Sequence, residues 1–150
     1  KEDSVHINDL IREVISEIEV RFTEKNITLE MDLHDDFVFS PCNRSLLFNM
    51  FFNLVNNAIK YNKTDGKIII TSQRQKKQFE VCIKDTGNGI APENLQSIFY
   101  RFKKFNASGE ESYGLGLPMV KTIADFHKMD IKVESKLGEG SVFTIIFKEA

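Results

Sequence analysis

In the stretch NLVNNAIKYN, Asn53 and Asn57 stand four residues apart. In a helix they share one face, with Lys60 and Tyr61 one turn further along it. Carboxamides are costly to bury without partners. Two of them in register on an otherwise apolar helix can pair with backbone or with each other. They can also form an oxygen-ligand site for Mg²⁺, which keeps several waters and takes other ligands from substrate phosphates. Lys60 would then lie beside those phosphates. In FEVCIKD, Phe79, Val81 and Ile83 share a parity that reaches Asp85. A carboxylate on the core side of a strand end wants a donor. An Asx turn onto the Thr86–Gly87 backbone supplies one, and the exocyclic amine of adenine supplies another. Gly87 and Gly89 follow in DTGNGI and permit close approach of a ligand.

Two further stretches carry chemistry. In YGLGLPMV, Gly114 and Gly116 precede a helix whose first turn holds Pro118. Free N–H groups at a helix start bind phosphate. The spacing is not that of GxxxxGK[ST], because no lysine follows, and the strand-first context of a dinucleotide fingerprint is missing. The segment is a phosphate loop of another kind or a hinge. In IFYRFKKF, Phe99 and Phe102 stand three apart and suit a core, while the neighbouring cations suit a triphosphate.

The elements that must position these residues read as follows. Val5 and Ile7 alternate as a strand. Asn8 then caps a helix with the stripe Leu10, Ile11, Val14, Ile15, Ile18 and Phe22. Residues 27–33 alternate as a half-buried strand. Phe37 and Phe39 mark a short second one, ended by Pro41. Residues 43–61 carry apolar groups around most of a helix, which makes it central and packed on several sides. Strands follow at 67–74 and 78–85, then a glycine-punctuated loop at 86–90 and a short helix opened by Pro92. Residues 106–113 are small and polar. A helix over 115–127 and a hairpin turning at Gly138–Glu139–Gly140 close the chain. Hairpins interleaved with helices predict an α+β two-layer sandwich, with three main helices on one face of a mixed, mostly antiparallel sheet.

Composition sets limits on the rest. The 150 residues carry 20 basic and 22 acidic groups, for a net charge of −2, with 41% apolar and 28% charged residues. A chain of this length buries about 69% of its surface, enough for a core without disulfide or metal staples. The composition excludes a disordered tail, a collagen-like chain and a disulfide scaffold. A near-neutral balance leaves no electrostatic footprint for nucleic acid or an acidic membrane. No apolar run is long enough for a transmembrane helix or a signal peptide. Cys42 and Cys82 read as buried free thiols.

Together, in this order, the four stretches resemble the ATP-binding catalytic domain of bacterial sensor histidine kinases. These belong to the wider fold family shared with type II topoisomerase and mismatch-repair ATPases. NLVNNAIKY is similar to the asparagine box, DTGNGI to the first glycine box, IFYRF to the phenylalanine box and GLGL to the second glycine box, and GEGSVFTI resembles the final strand turn. The resemblance covers the whole chain, 1–150, as one domain. It implies a Bergerat-type ATP-binding fold with ATP and Mg²⁺ as cofactors. It implies that Asn53 and Asn57 hold Mg²⁺ and phosphate oxygens, that Lys60 touches phosphate and that Tyr61 packs on adenine. Asp85 would accept the adenine amine, and Gly87, Gly89, Ile90 and Phe102 would shape the pocket. Gly114, Leu115 and Gly116 would donate N–H groups to phosphates beneath a lid at 106–113, and Thr144 would sit at the base pocket near Asp85. Lys104 stands where many relatives carry an arginine aimed at the γ-phosphate, and Ser112 where they carry a glycine.

Asn53 bears on the reaction. Hydrolytic and serine-kinase relatives carry glutamate at this position, which can take a proton from water or a hydroxyl, whereas an amide cannot. The expected activity is therefore transfer of the γ-phosphoryl group to histidine. His6, His34 and His127 lack an acceptor context, His127 reading as a cation at a helix end. The resemblance places the acceptor on a dimerisation hairpin upstream of this chain. It makes the isolated domain a monomer with feeble activity in a homodimeric parent. That parent is expected to be anchored in the inner membrane, to present this domain to the cytoplasm without direct membrane contact, and to feed a response-regulator receiver domain. The alternative is a degenerate, regulatory ATP-binding module that binds without transfer.

Overall fold

The structure is a computed structural model that describes residues 2–95, 97–99 and 116–148. In chain order the elements are β1 (Asp3–His6), α1 (Ile7–Ile18), α2 (Val20–Glu24), β2 (Thr28–Leu33), β3 (Val38–Cys42), α3 (Arg44–Lys60), β4 (Lys67–Gln75) and β5 (Gln78–Asp85). They continue with α4 (Pro92–Leu95), α5 (Gly116–Phe126), β6 (Asp130–Lys136) and β7 (Gly140–Lys148). Five strands form one sheet in the order β2-β4-β5-β7-β6. β2 runs parallel to β4 and every other pair is antiparallel. β1 and β3 pair separately. The α+β sandwich with a mixed, mostly antiparallel sheet is as the sequence predicts.

The central helix is α3, which packs against α1, α5 and β5. Its apolar residues surround the axis, so Leu47, Met50, Phe51, Leu54 and Val55 are all buried. Asn43 caps its start by accepting from the Leu46 N–H at 3.0 Å. Beneath it, Ile68 and Ile70 of β4, Phe79, Val81 and Ile83 of β5, and Ile145 and Phe147 of β7 form the inner face of the sheet. An aromatic cluster closes one end of this layer. Phe37 stacks on Phe79 at 4.7 Å between centroids, and Phe39 meets Phe147 edge-on at 5.0 Å. Phe79 pairs with Phe147, while Asp85 pairs with Ser141 at the other end of the same ladder. The aromatic end therefore lies roughly 20 Å from Asp85 at the usual rise per strand residue.

Several local expectations are corrected. The first strand ends at His6, and Ile7 already opens α1. Asn8 is no cap: it sits inside the first turn, 8% exposed. Its amide donates to the carbonyls of His34 (3.1 Å) and Asp35 (2.7 Å) and accepts from Ser72 Oγ (2.7 Å). This tertiary tether from helix to sheet wins over local capping. The first helix is interrupted at Glu19, where the Phe22 N–H turns back to the Glu19 carbonyl at 3.0 Å. β3 starts at Val38 and continues through Pro41 to Cys42. Pro41 falls at a register irregularity between Asp3 and Val5 of β1, where a missing N–H costs no ladder bond. Both cysteines are free and Cys42 is buried, but Cys82 is only half-buried on the outer face of β5. The last helix ends at Phe126. His127 follows it as an uncharged bridge, not a dipole cation. Its Nε2 accepts from the Asn43 N–H at 3.1 Å, and its Nδ1 donates to the Ile123 carbonyl at 2.9 Å.

Candidate nucleotide site

A cleft opens between α3, α5 and the Asp85 end of the sheet. Leu54, Asn57, Ala58 and Tyr61 line it from α3 and its C-cap. Asp85 and Phe143 and Ser141 come from β5 and β7, Gly89 and Ile90 from the loop after β5, and Leu117 from α5. The strand parity that carries Phe79, Val81 and Ile83 into the core carries Asp85 to the wall of this cleft, 9% exposed. Its Oδ1 accepts from the Gly87 N–H at 2.8 Å, and the Ser141 N–H also bonds the carboxylate. Burial pushes the carboxyl above its ordinary range, while those two backbone donors pull it back down.

The loop after β5 passes very close to its surroundings. A side chain at Gly87 would place Cβ 2.4 Å from the Tyr61 carbonyl oxygen and 3.0 Å from Asp85 Oδ1. Gly89 holds φ +74° against the Lys136 carbonyl. The Asn88 N–H donates to the Tyr61 carbonyl at 3.0 Å. The loop is thereby tied to the C-terminal end of α3. Lys25, at the end of α2, secures that end from the other side. Its ammonium reaches the carbonyls of Ile59 (3.2 Å), Lys60 (2.7 Å) and Asn62 (3.0 Å), one for each of its protons. Lys25→Met is expected to destabilise the fold by about 2 kcal/mol, since three terminal carbonyls lose a charged donor. Thermal unfolding of the variant checks this, and an unchanged midpoint would show the clamp to be idle.

On the outer turn of α3, Asn53 and Asn57 do share a face. Asn53 Nδ2 donates to Asn49 Oδ1 at 2.7 Å. Asn57 Nδ2 is buried with no hydrogen-bond partner among the described residues. Gly116, at the start of α5, lies opposite both. A Cβ there would come 3.1 Å from Asn57 Nδ2 and 3.6 Å from Asn53 Oδ1. The Lys60 ammonium is exposed and rests over the Tyr61 ring, 5.2 Å from its centroid.

The structure thus brings Asn57, Tyr61, Asp85, Gly89 and Ile90 together, with Asn53, Lys60, Gly87 and Gly116 at the margins. Thr144 is a correction. Parity along β7 sends it to the outer face of the sheet, where it meets Cys82 Sγ at 3.5 Å. Ser141 and Phe143 are the residues of β7 that reach the cleft. Leu54, Ala58, Leu117, Ser141 and Phe143 were missed by the sequence reading. Ser141 had a visible signal, since it directly follows the turn glycine and is the ladder partner of Asp85. Phe102, Lys104, Gly114, Leu115 and the 106–113 lid lie outside the described residues.

Among the described residues no cluster of His, Cys, Asp and Glu could hold a metal ion. The donors facing Gly116 are neutral amides, one with a buried orphan N–H. This set is too weak to hold a cation alone. It fits Mg²⁺ that arrives with waters and phosphate oxygens of its own.

The chain is 34% identical over 148 residues to the heme sensor protein HssS of Staphylococcus saprophyticus, covering 99% of this chain and 32% of that protein. It is 34% identical over 142 residues to the sensor histidine kinase RppB of Synechocystis, covering 93% and 31%. It therefore spans about a third of the length of these relatives. The solved catalytic domain of histidine kinase ThkA superposes with a TM-score of 0.86 at 28% identity, covering 99% of this chain and 96% of that one. A structure of ThkA in complex with response regulator protein TrrA aligns with a TM-score of 0.80 at 28% identity, covering 99% of this chain and 42% of that one. Residues 42–150 match the family described as histidine kinase-, DNA gyrase B- and HSP90-like ATPase, and the chain belongs to that family.

Proposed function

We propose that this chain binds Mg-ATP and transfers the γ-phosphoryl group to a histidine on a separate helical hairpin of its parent. The parent would then pass the group to a response-regulator receiver domain. The observation that carries the reading is the buried Asp85 carboxylate opening onto the same cleft as Asn57, whose amide N–H has no partner among the described residues. The first suits a base amine, and the second, a donor, suits a phosphate oxygen. The sensor names of HssS and RppB, and the response regulator held by ThkA, support the wider relay.

In this reading Asp85 accepts the adenine amine, while Tyr61 and Ile90 cover the base. Asn53 and Asn57 would hold Mg²⁺ and its phosphate oxygens. When bound, the ion neutralises charge on the phosphates. Gly116 would offer its backbone N–H at the start of α5, and by the resemblance Gly114 and Leu115 would add theirs. Lys60 would move from the Tyr61 ring to a phosphate oxygen, and Lys104, by the resemblance, would serve the γ-phosphate. The γ-phosphorus–oxygen bond breaks, a nitrogen–phosphorus bond forms to the acceptor imidazole, and ADP leaves. The imidazole supplies its own lone pair, so the neutral amide of Asn53 suffices where hydrolysis needs a base. Among the described residues no helix is long and apolar enough to cross a membrane. In this proposal other segments of a homodimeric parent supply the anchor and the acceptor.

The test has two stages. A non-hydrolysable ATP analogue is titrated calorimetrically with and without Mg²⁺, and the domain is then mixed with labelled ATP and the acceptor hairpin. Mg²⁺-dependent binding followed by acid-labile label on the hairpin is expected. Binding without any label would leave the regulatory module as the function. A folded domain that ignores the nucleotide would overturn both.

A further inference from the structure

Ser135, on β6, plays no part in the site chemistry above, yet its hydroxyl meets three groups at hydrogen-bond distance. The Ile90 N–H lies at 2.7 Å, the Gly140 carbonyl at 3.0 Å and Ser141 Oγ at 2.8 Å. A hydroxyl owns one proton and two lone pairs. The Ile90 amide can only donate, so it takes one lone pair. The Gly140 carbonyl can only accept, so it takes the proton. With both of those bonds made, what remains for Ser141 is the second lone pair, and its hydroxyl then donates to Ser135. Ser141 is 6% exposed and lines the cleft. With its proton spent behind the wall, it faces the cleft with lone pairs only. Its ladder partner Asp85 likewise offers only carboxylate oxygens. Among the described residues, the Asp85–Ser141 corner of the cleft presents acceptors.

We propose that Ser135 is a specificity-determining residue: by holding the Ser141 proton it makes the wall beside Asp85 an acceptor-only surface, which takes a purine with an exocyclic amine and refuses one with a carbonyl at that position. This rests on the reading of the cleft as a base pocket. An amine brings the protons the wall lacks. An oxygen at the same place would meet lone pairs and stay unpaired and buried, which is how polar sites reject near-isosteres strongly. Ser135 acts through Ser141 and is a positioning residue, not a catalytic one.

The experiment compares ATP with inosine triphosphate, which carries at the purine edge an oxygen in place of the amine and an N–H in place of the neighbouring ring nitrogen's lone pair. Both are titrated into the wild-type domain, Ser135→Ala and Ser135→Thr. In Ser135→Ala the Ser141 hydroxyl is free to turn and donate, and the ATP-to-inosine-triphosphate affinity ratio is expected to fall roughly fivefold, the worth of one neutral hydrogen bond. Ser135→Thr keeps a hydroxyl and is expected to hold the wild-type ratio. Reading a ratio removes any general loss from the broken Ile90 bond. Ser141→Ala removes the acceptor without touching that bond. It is expected to lower the ratio as well, and it serves where Ser135→Ala fails to fold. An unchanged ratio in the alanine variants, with Asp85→Asn collapsing it, overturns the role of Ser135 and leaves the base pocket standing. An unchanged ratio in Asp85→Asn too removes the base-pocket reading, and this inference with it.

Discussion

Asn57→Leu is expected to raise the stability of the nucleotide-free domain while abolishing Mg-ATP binding. The two effects have one cause. Asn57 Nδ2 is buried on α3 without a hydrogen-bond partner among the described residues, and the cleft around it is lined by Leu54, Ala58 and Leu117. An unsatisfied buried amide costs about 1–3 kcal/mol, and a leucine of similar reach removes that cost and adds apolar contact. A net gain of about 1 kcal/mol would lift the melting midpoint by ~3 °C in a chain of this size. Nucleotide binding moves the other way. The Asn57 Nδ2 is the atom that faces Gly116 from the closest side, so in the proposed reading losing the amide removes a partner of the phosphates and their cation. A penalty of ~3 kcal/mol corresponds to more than a hundredfold in affinity. A scan of thermal stability with and without Mg-ATP reads both effects in one experiment. The wild type should gain stability from the nucleotide, and the variant should start higher and gain nothing. A lowered midpoint in the nucleotide-free variant would mean the amide supports the fold and is not held in reserve for a ligand.

The same residue shows what was legible in the chain and what was not. The four-residue spacing of Asn53 and Asn57 places them on one helix face whatever the tertiary structure, and the period-2 parity of β5 places Asp85 with Phe79, Val81 and Ile83. Local periodicity is enough for both, and the layer architecture follows from the order of such elements. What the sequence hid was settled by partners far away in the chain. Asn8 looks like a helix cap, but two carbonyls and Ser72 from the sheet claim its amide. His127 looks like a helix-end cation, but the start of α3 lends it an N–H. Lys25 gives no local signal at all, because the three carbonyls it holds are brought to it only when α3 packs beside α2. Thr144 was carried to the base pocket by resemblance, against the parity of its own strand. Counting from Gly140 chooses Ser141, the residue that lines the cleft from the same strand.

Asp85→Asn is expected to weaken ATP binding by about 2 kcal/mol, roughly thirtyfold, the worth of a hydrogen bond to a charged group. The pH dependence makes the argument specific. Burial raises the Asp85 carboxyl above its ordinary range, against the pull of the Gly87 and Ser141 N–H groups. For a group whose pKa is raised on folding, the contribution to stability is complete below its unfolded value and is lost as pH rises through its folded value. In the empty domain at neutral pH, the charged Asp85 is therefore a burden relative to acid. A base amine relieves part of that burden by donating to the carboxylate, and so depends on the charged form. ATP affinity should accordingly fall as pH drops through the raised value, at a pH above the range where an exposed carboxylate titrates. ATP's own terminal phosphate also titrates in mild acid, so the useful quantity is wild type compared with Asp85→Asn at each pH. The variant should show only the phosphate's share of the decline. It should not recover the stability that the charge costs. Both Gly87 and Ser141 offer N–H groups to this side chain, and an amide has one oxygen for the two of them, with its own NH₂ pointed at the other. A variant that bound ATP at full strength, or matching pH profiles for the two proteins, would remove Asp85 from base recognition. The cleft would then have to be read through the acceptors of Ser141 alone.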